Sequence, residues 1–164
     1  MPFVFATTFP YRGFPTNVPV AFLDHSLVTL DHSLVCKRGG FVSLRHNTLR
    51  NTVAEFLSQV CKDVILEPEL IPVTGAQLPP GTNTQDEARL DISCRGFYST
   101  LDKSLFDIRV LHPNALSNKS KPLQTMYATH EKEKKTKYLH RILEIEKANF
   151  TPLVMATIYW RNVT

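Results

Sequence analysis

Prolines place the first limit on how this chain can fold. Proline lacks a backbone N–H and fixes φ at about −65°, so closely spaced prolines exclude a long helix or a central strand. Four of the eleven prolines lie within the first 21 residues, at Pro2, Pro10, Pro15 and Pro19. We therefore predict an irregular, proline-rich leader over residues 1–40 and a folded domain over residues 41–164.

The folded part begins with a segment of helical periodicity. Its apolar residues recur at offsets of 0, 4, 7, 8 and 11, which places them on one helical stripe: Leu49, Val53, Phe56, Leu57 and Val60. Asn47 is a suitable N-cap. Glu55 falls on the opposite face. The pattern predicts a helix that starts near Asn47 and buries this stripe.

Further elements follow from short β-branched runs and a second helical pattern. We predict strands at Val64–Leu66, Ala88–Cys94, Ser104–Leu111 and Thr151–Tyr159, and a helix at Leu123–Lys147. Within the third strand, Phe106, Ile108 and Val110 form an apolar face, whereas Asp107 and Arg109 lie on the other. The order αβββαβ predicts an α/β sandwich with a small mixed sheet.

Composition narrows the cellular setting. A net charge of +4 permits a polyanionic partner. Three cysteines without a CxxC pair indicate a reducing compartment. No window approaches the roughly 20 apolar residues of a spanning helix. We therefore expect an intracellular protein without a membrane partner, and its oligomeric state stays open.

Two aspartates form the strongest candidate site. The interval between Asp91 and Asp107 suits two strands of one hairpin, which would bring the carboxylates side by side. Adjacent carboxylates repel unless a cation lies between them, and Mg²⁺ favours such oxygen ligands. The alternative is that each aspartate pairs with its neighbouring arginine, Arg89 or Arg109.

The second helix carries a run of basic residues. Lys134, Lys137 and Arg141 fall at offsets of 0, 3 and 7 and therefore share one side, which could hold phosphates. The alternative is a solvated helix face.

These features together resemble a known nuclease family. The αβββαβ order with two aspartates on neighbouring strands resembles the PD-(D/E)XK nuclease fold. Four motifs resemble the restriction-enzyme-like endonuclease domain of non-LTR retrotransposons: Arg45–Asn47, Arg89–Ile92, Phe106–Val110 and Glu133–Tyr138. In those elements the domain follows a reverse transcriptase and nicks target DNA. The resemblance runs from about Asp31 to Ala156.

The resemblance implies roles for individual residues. Asp91 and Asp107 would bind Mg²⁺ or Mn²⁺, and Glu55 would be the helical acid of the fold. Arg109 occupies the position of the family's lysine, but arginine stays charged and cannot transfer a proton. Lys134 or Lys137 would then serve as the catalytic lysine. DNA would contact the following residues: Arg45, His46, Lys134, Lys137 and Arg141.

The leader departs from the family. Asp31–Cys36 resembles the end of the zinc knuckle that precedes such domains, but no cysteine lies before it. We therefore expect a degraded knuckle without bound zinc. This loss, together with Arg109, leaves three alternatives: a metal-dependent DNA endonuclease domain, a catalytically inactive nucleic-acid-binding remnant, or a structural or interaction domain or relic without retained activity. A DNA partner favours the nucleus over the cytoplasm.

Overall fold

A four-stranded mixed sheet forms the centre of the protein. The computed structural model describes residues 40–113, 115, 118 and 121–157. The elements in chain order are α1 (Phe41–Val60), β1 (Lys62–Leu66), β2 (Ile92–Arg95), β3 (Lys103–Leu111), α2 (Leu123–Arg141) and β4 (Asn149–Ala156). A π-helical turn, Ile142–Glu146, continues α2. The order αβββαβ and the α/β class are as the sequence predicted.

The strands are ordered β1-β2-β3-β4 across the sheet. The β1/β2 and β2/β3 pairs are antiparallel, whereas β3 and β4 are parallel over eight residue pairs, from Ser104↔Asn149 to Leu111↔Ala156. The predicted mixed sheet is therefore confirmed. Pro152 lies in β4, an edge strand, where a missing backbone N–H is tolerated.

The two helices pack on opposite faces of this sheet. Ala54 and Leu57 of α1 share a core cluster with Phe106 and Ile108 of β3. A second cluster lies on the other face and contains Tyr138 of α2, Leu105, Leu90 and Ile142. Alternation along β3 divides its side chains between the two clusters, so the predicted apolar face contacts α1 and the face with Asp107 lies towards α2.

Helix α1 differs from its prediction in start and in buried face. It begins at Phe41, after Gly40 with φ of 69°, so Asn47 lies inside the helix and is not its cap. Phe56 and Val60 are 61% and 78% exposed. The buried side is narrower than the predicted stripe, because one sheet face accommodates mainly Ala54 and Leu57.

The start of β2 also differs from its prediction, because regular pairing with β1 covers fewer residues than the sequence predicts. The sequence predicts that residues 88–90 start a strand, but their backbone pairing with residues 68–70 is limited to the bridge Glu69↔Arg89 and two hydrogen bonds. Glu67 has φ of 50°, which bends the chain where regular pairing of β1 stops.

The predicted leader lies outside the described residues apart from Gly40, as do the knuckle remnant and Tyr159.

The side of α1 that is buried against the sheet can be tested directly. We expect Leu57→Ala to lower the free energy of unfolding by about 2–5 kcal/mol, because it leaves a cavity against the sheet. Its neighbour provides the matched control: Phe56→Ala should change stability by about 0.5 kcal/mol or less. Urea unfolding of both variants would measure this, and equal losses would contradict the described helix phase.

Candidate active site

The pairing of β2 with β3 brings the two aspartates together. Ile92 pairs with Phe106, which brings Asp91, the residue before β2, close to Asp107, the residue after Phe106. The amide of Asp91 donates to the Phe106 carbonyl at 3.1 Å, so Asp91 is tied to β3 although the regular register ends at Ile92. The two carboxyl groups interact with each other electrostatically. The juxtaposition predicted from their spacing is therefore present.

Asp91 is held by a helix and a strand. Nε2 of His46, on α1, lies 2.9 Å from its Oδ1, and the amide of Ile108 donates to Oδ2 at 2.5 Å. An ionised carboxylate can only accept, so Nε2 carries the hydrogen in this pair. Burial alone would raise the pKa of Asp91, but the hydrogen bonds from His46 and Ile108, the charge of His46 and a hydrogen bond from Asp107 together outweigh it, and the pKa lies below the ordinary value.

Asp107 has the opposite electrostatic environment. Its side chain is buried, and the ammonium of Lys134 on α2 lies 2.6 Å from Oδ2. Burial raises the pKa of Asp107, Lys134 offsets part of that effect, and the neighbouring Asp91 carboxylate raises it further. The pKa values of the two neighbouring carboxyl groups are therefore shifted in opposite directions, downward for Asp91 and upward for Asp107.

The neighbouring arginines do not pair with these aspartates. Arg89 forms its ion pair with Glu69. Arg109 is exposed, and no carboxylate in the described part of the chain forms an ion pair with it. The partners of the two aspartates come instead from the helices on either side of the sheet, which the alternative based on local pairing did not predict.

His46 has a contact that its predicted role did not include. It was expected to bind nucleic acid with Arg45, which is half-buried beside it, but its ring is directed at Asp91. A signal for this was present in the sequence. His46 lies at helical offsets of 7, 8 and 11 before Val53, Ala54 and Leu57, so it shares the side of α1 that faces the sheet.

Glu55 is not brought to the aspartates. It lies nine residues after His46, which is half a turn away around the helix at 100° per residue. Its side chain is exposed. The predicted helical acid therefore points away from the site.

The predicted basic side of α2 separates into three environments. Lys134 reaches Asp107. Lys137 is exposed, and its Nζ lies 4.9 Å from the centre of the Tyr138 ring. Glu133, which the spacing offers to Lys137 as a partner, instead contacts His130. Lys137 thus lies one turn along the helix from the aspartate pair.

The predicted phosphate-binding role of Arg141 is wrong. Its side chain is fully buried. The guanidinium donates to the carbonyls of Asn83, Gln85 and Ile71 at 3.0, 2.7 and 2.8 Å. A buried arginine that is bonded to three loop carbonyls cannot reach a phosphate on the surface, so Arg141 holds the 71–85 loop against α2.

The donor set suits a hard cation in part. The two aspartates supply two carboxylates, the number that Mg²⁺ commonly takes from a protein alongside water and substrate phosphate. Within the described ranges, no group of three or more His, Cys, Asp and Glu side chains is arranged to hold a metal.

No helix among the described residues is long and apolar enough to cross a membrane.

The contacts of Asp91 predict a pH-dependent contribution to stability. At pH 7 we expect Asp91→Asn to lower the free energy of unfolding by about 1.5–3 kcal/mol, the range for hydrogen bonds to a charged group. The pKa of Asp91 in the folded state lies below 3.8. As the pH falls, the unfolded chain therefore takes up the proton first, and the contribution is lost as the pH falls through the folded pKa.

Urea unfolding from neutral pH down to about pH 3 would measure this difference between wild type and variant. Asp86→Asn removes an exposed carboxylate and serves as the control. A difference that stays constant over the whole range would contradict the role of the ionised Asp91 carboxylate.

Comparisons of the chain with protein-family models, with curated proteins and with solved structures found no match. The resemblance to retrotransposon endonuclease domains therefore depends on the sequence motifs alone.

Proposed function

We propose that this chain is a metal-dependent DNA endonuclease domain that hydrolyses a phosphodiester bond. The observation that carries the proposal is the juxtaposition of Asp91 and Asp107, with the ammonium of Lys134 2.6 Å from the second carboxylate. Two carboxylates and a lysine on neighbouring elements are the groups that phosphodiester hydrolysis of the PD-(D/E)XK type uses. The order of the elements and the four short motifs support the same activity.

Each residue of this site has a distinct task in the proposal. Asp91 and Asp107 would hold the metal, and Mg²⁺ or Mn²⁺ bound there would supply a hydroxide and offset charge on the phosphoryl oxygen. Lys134 serves as the catalytic lysine, and its charge stabilises the phosphate in the transition state. His46 is a positioning residue, because it acts on the reaction through Asp91. Arg109 and Glu55 are exposed and take no part.

A nucleic-acid-binding remnant without activity is the second candidate. Each aspartate already has an internal partner, His46 or Lys134, and these contacts compete with a metal for the same oxygens. Arg109 stands where the family has its lysine. Both observations favour a site that keeps the arrangement of the two aspartates but does not hydrolyse DNA. For either candidate, DNA is the partner, and a nuclear location follows from that partner.

Nicking of supercoiled plasmid in Mg²⁺ or Mn²⁺ tests the activity. We expect the purified chain to nick the plasmid and the double variant Asp91→Ala, Asp107→Ala to lose this activity. Lys134→Met should lower the rate by about 10²–10³-fold, the effect of removing one group that stabilises transition-state charge. The exposed Asp86→Asn variant should nick as the wild type does.

Two results would overturn the endonuclease proposal. One is the absence of nicking with either metal, and the other is equal nicking by the wild type and the double variant. If nicking is absent while a mobility shift with DNA weakens as salt is raised, the inactive binding remnant is the correct assignment.

A further inference from the structure

An open groove lies beside α2, one turn along the helix from the aspartates. It has a volume of about 420 Å³ and is lined by residues 81–85 and Lys137. The residues of this loop segment are glycine, two threonines, asparagine and glutamine, so the lining supplies hydroxyl and amide groups and a single charge, the ammonium of Lys137. A lining of this kind matches an anion that presents several oxygens.

The loop is fixed in place by buried contacts. Arg141 donates to the carbonyls of Asn83 and Gln85, and the Asn83 amide donates to the carbonyl of Lys137 at 2.8 Å. Gly81 has φ of 86°, and a Cβ there would lie 3.3 Å from Cγ2 of Thr136. Glycine thus allows the loop to approach the helix closely, and the groove does not have to be formed when a ligand binds.

Lys137 is available to a ligand in this groove. In the part of the chain that the structure describes, no carboxylate forms an ion pair with its ammonium. Its Nζ lies over the ring of Tyr138, which is buried, and this contact holds the ammonium at the groove side of α2.

The groove lies next to the candidate active site along α2. Lys134 contacts Asp107, and Lys137 in the groove follows Lys134 by three residues, about 4.5 Å along the helix axis. The two lysines therefore lie on neighbouring turns of one helix, as a strand that spans both the aspartates and the groove requires.

We propose that the groove between residues 81–85 and Lys137 is a binding subsite for a backbone phosphate next to the reacting one. The identity of the ligand as a nucleic acid rests on the proposed function. The subsite itself needs no catalysis, because it contributes binding energy through Lys137 and through the hydroxyl and amide groups of the loop. Such a contact fixes the register of the strand and reads no base.

The test measures binding of the full chain to a fluorescently labelled DNA duplex in EDTA, so that neither metal nor cleavage contributes. Lys137→Gln removes the groove charge. Lys132→Gln makes the same change on an exposed position 140° away around α2 and is the matched control. We expect Lys137→Gln to lower the slope of log K against log salt by about 0.9, and Lys132→Gln to leave it unchanged.

A second variant changes the loop side of the groove. Thr84→Glu places a carboxylate in the lining without altering Lys137, and we expect it to weaken duplex binding by at least the factor seen for Lys137→Gln. Equal slopes for Lys137→Gln and Lys132→Gln, or absence of duplex binding by the wild type, would overturn the proposal. Binding of inorganic phosphate that depends on Lys137, with duplex binding unaffected by Lys137→Gln, would also overturn it.

These outcomes separate the subsite from the endonuclease activity. Duplex binding that depends on Lys137, without plasmid nicking, would support the subsite and contradict the endonuclease. Nicking that depends on the two aspartates, with no effect of Lys137→Gln on the salt slope, would support the endonuclease and contradict the subsite.

Discussion

The antiparallel register between β2 and β3 is the constraint on which the candidate site depends. It brings Asp91, the residue before β2, next to Asp107 and fixes which β3 side chains face each helix. A shift of one residue would turn Asp107 towards α1 and Phe106 towards α2, because successive side chains alternate between the two faces. Phe106 and Ile108 resist that shift, since both are buried against α1. Apolar packing on one face therefore maintains the placement of the acid on the other.

Prediction from the sequence succeeded where the spacing of apolar residues alone indicates which side of an element is buried. The alternation along β3 indicates both its apolar face and the side on which Asp107 lies. The phase of α1 was harder to predict, because Phe56, Leu57 and Val60 are all apolar and only Leu57 of the three is buried. The partners of the aspartates were missed for a different reason: His46 and Lys134 reach them from opposite layers, and no local spacing encodes that contact.

Arg141 shows the same limit of sequence reasoning on α2. By helical spacing it belongs with Lys134 and Lys137, and by chemistry it suits a phosphate. The tertiary structure assigns it otherwise, because the 71–85 loop crosses α2 and its carbonyl groups need donors once they are removed from water. Arginine, with five donors in a planar fork, meets that need. The position of this loop, whose residues are mostly exposed, was not visible in the pattern of apolar residues.

The parallel pairing of β3 with β4 bears on the order in which the site assembles. Asp91 and Asp107 meet through a short hairpin, whose ends close at low entropic cost, whereas β4 pairs with β3 only after the whole of α2 has been added to the chain. The carboxylates can thus come together before Lys134 reaches them. Asp91 has its partner His46 on α1, which precedes the hairpin, whereas Asp107 gains the compensating charge of Lys134 only when α2 docks on the sheet.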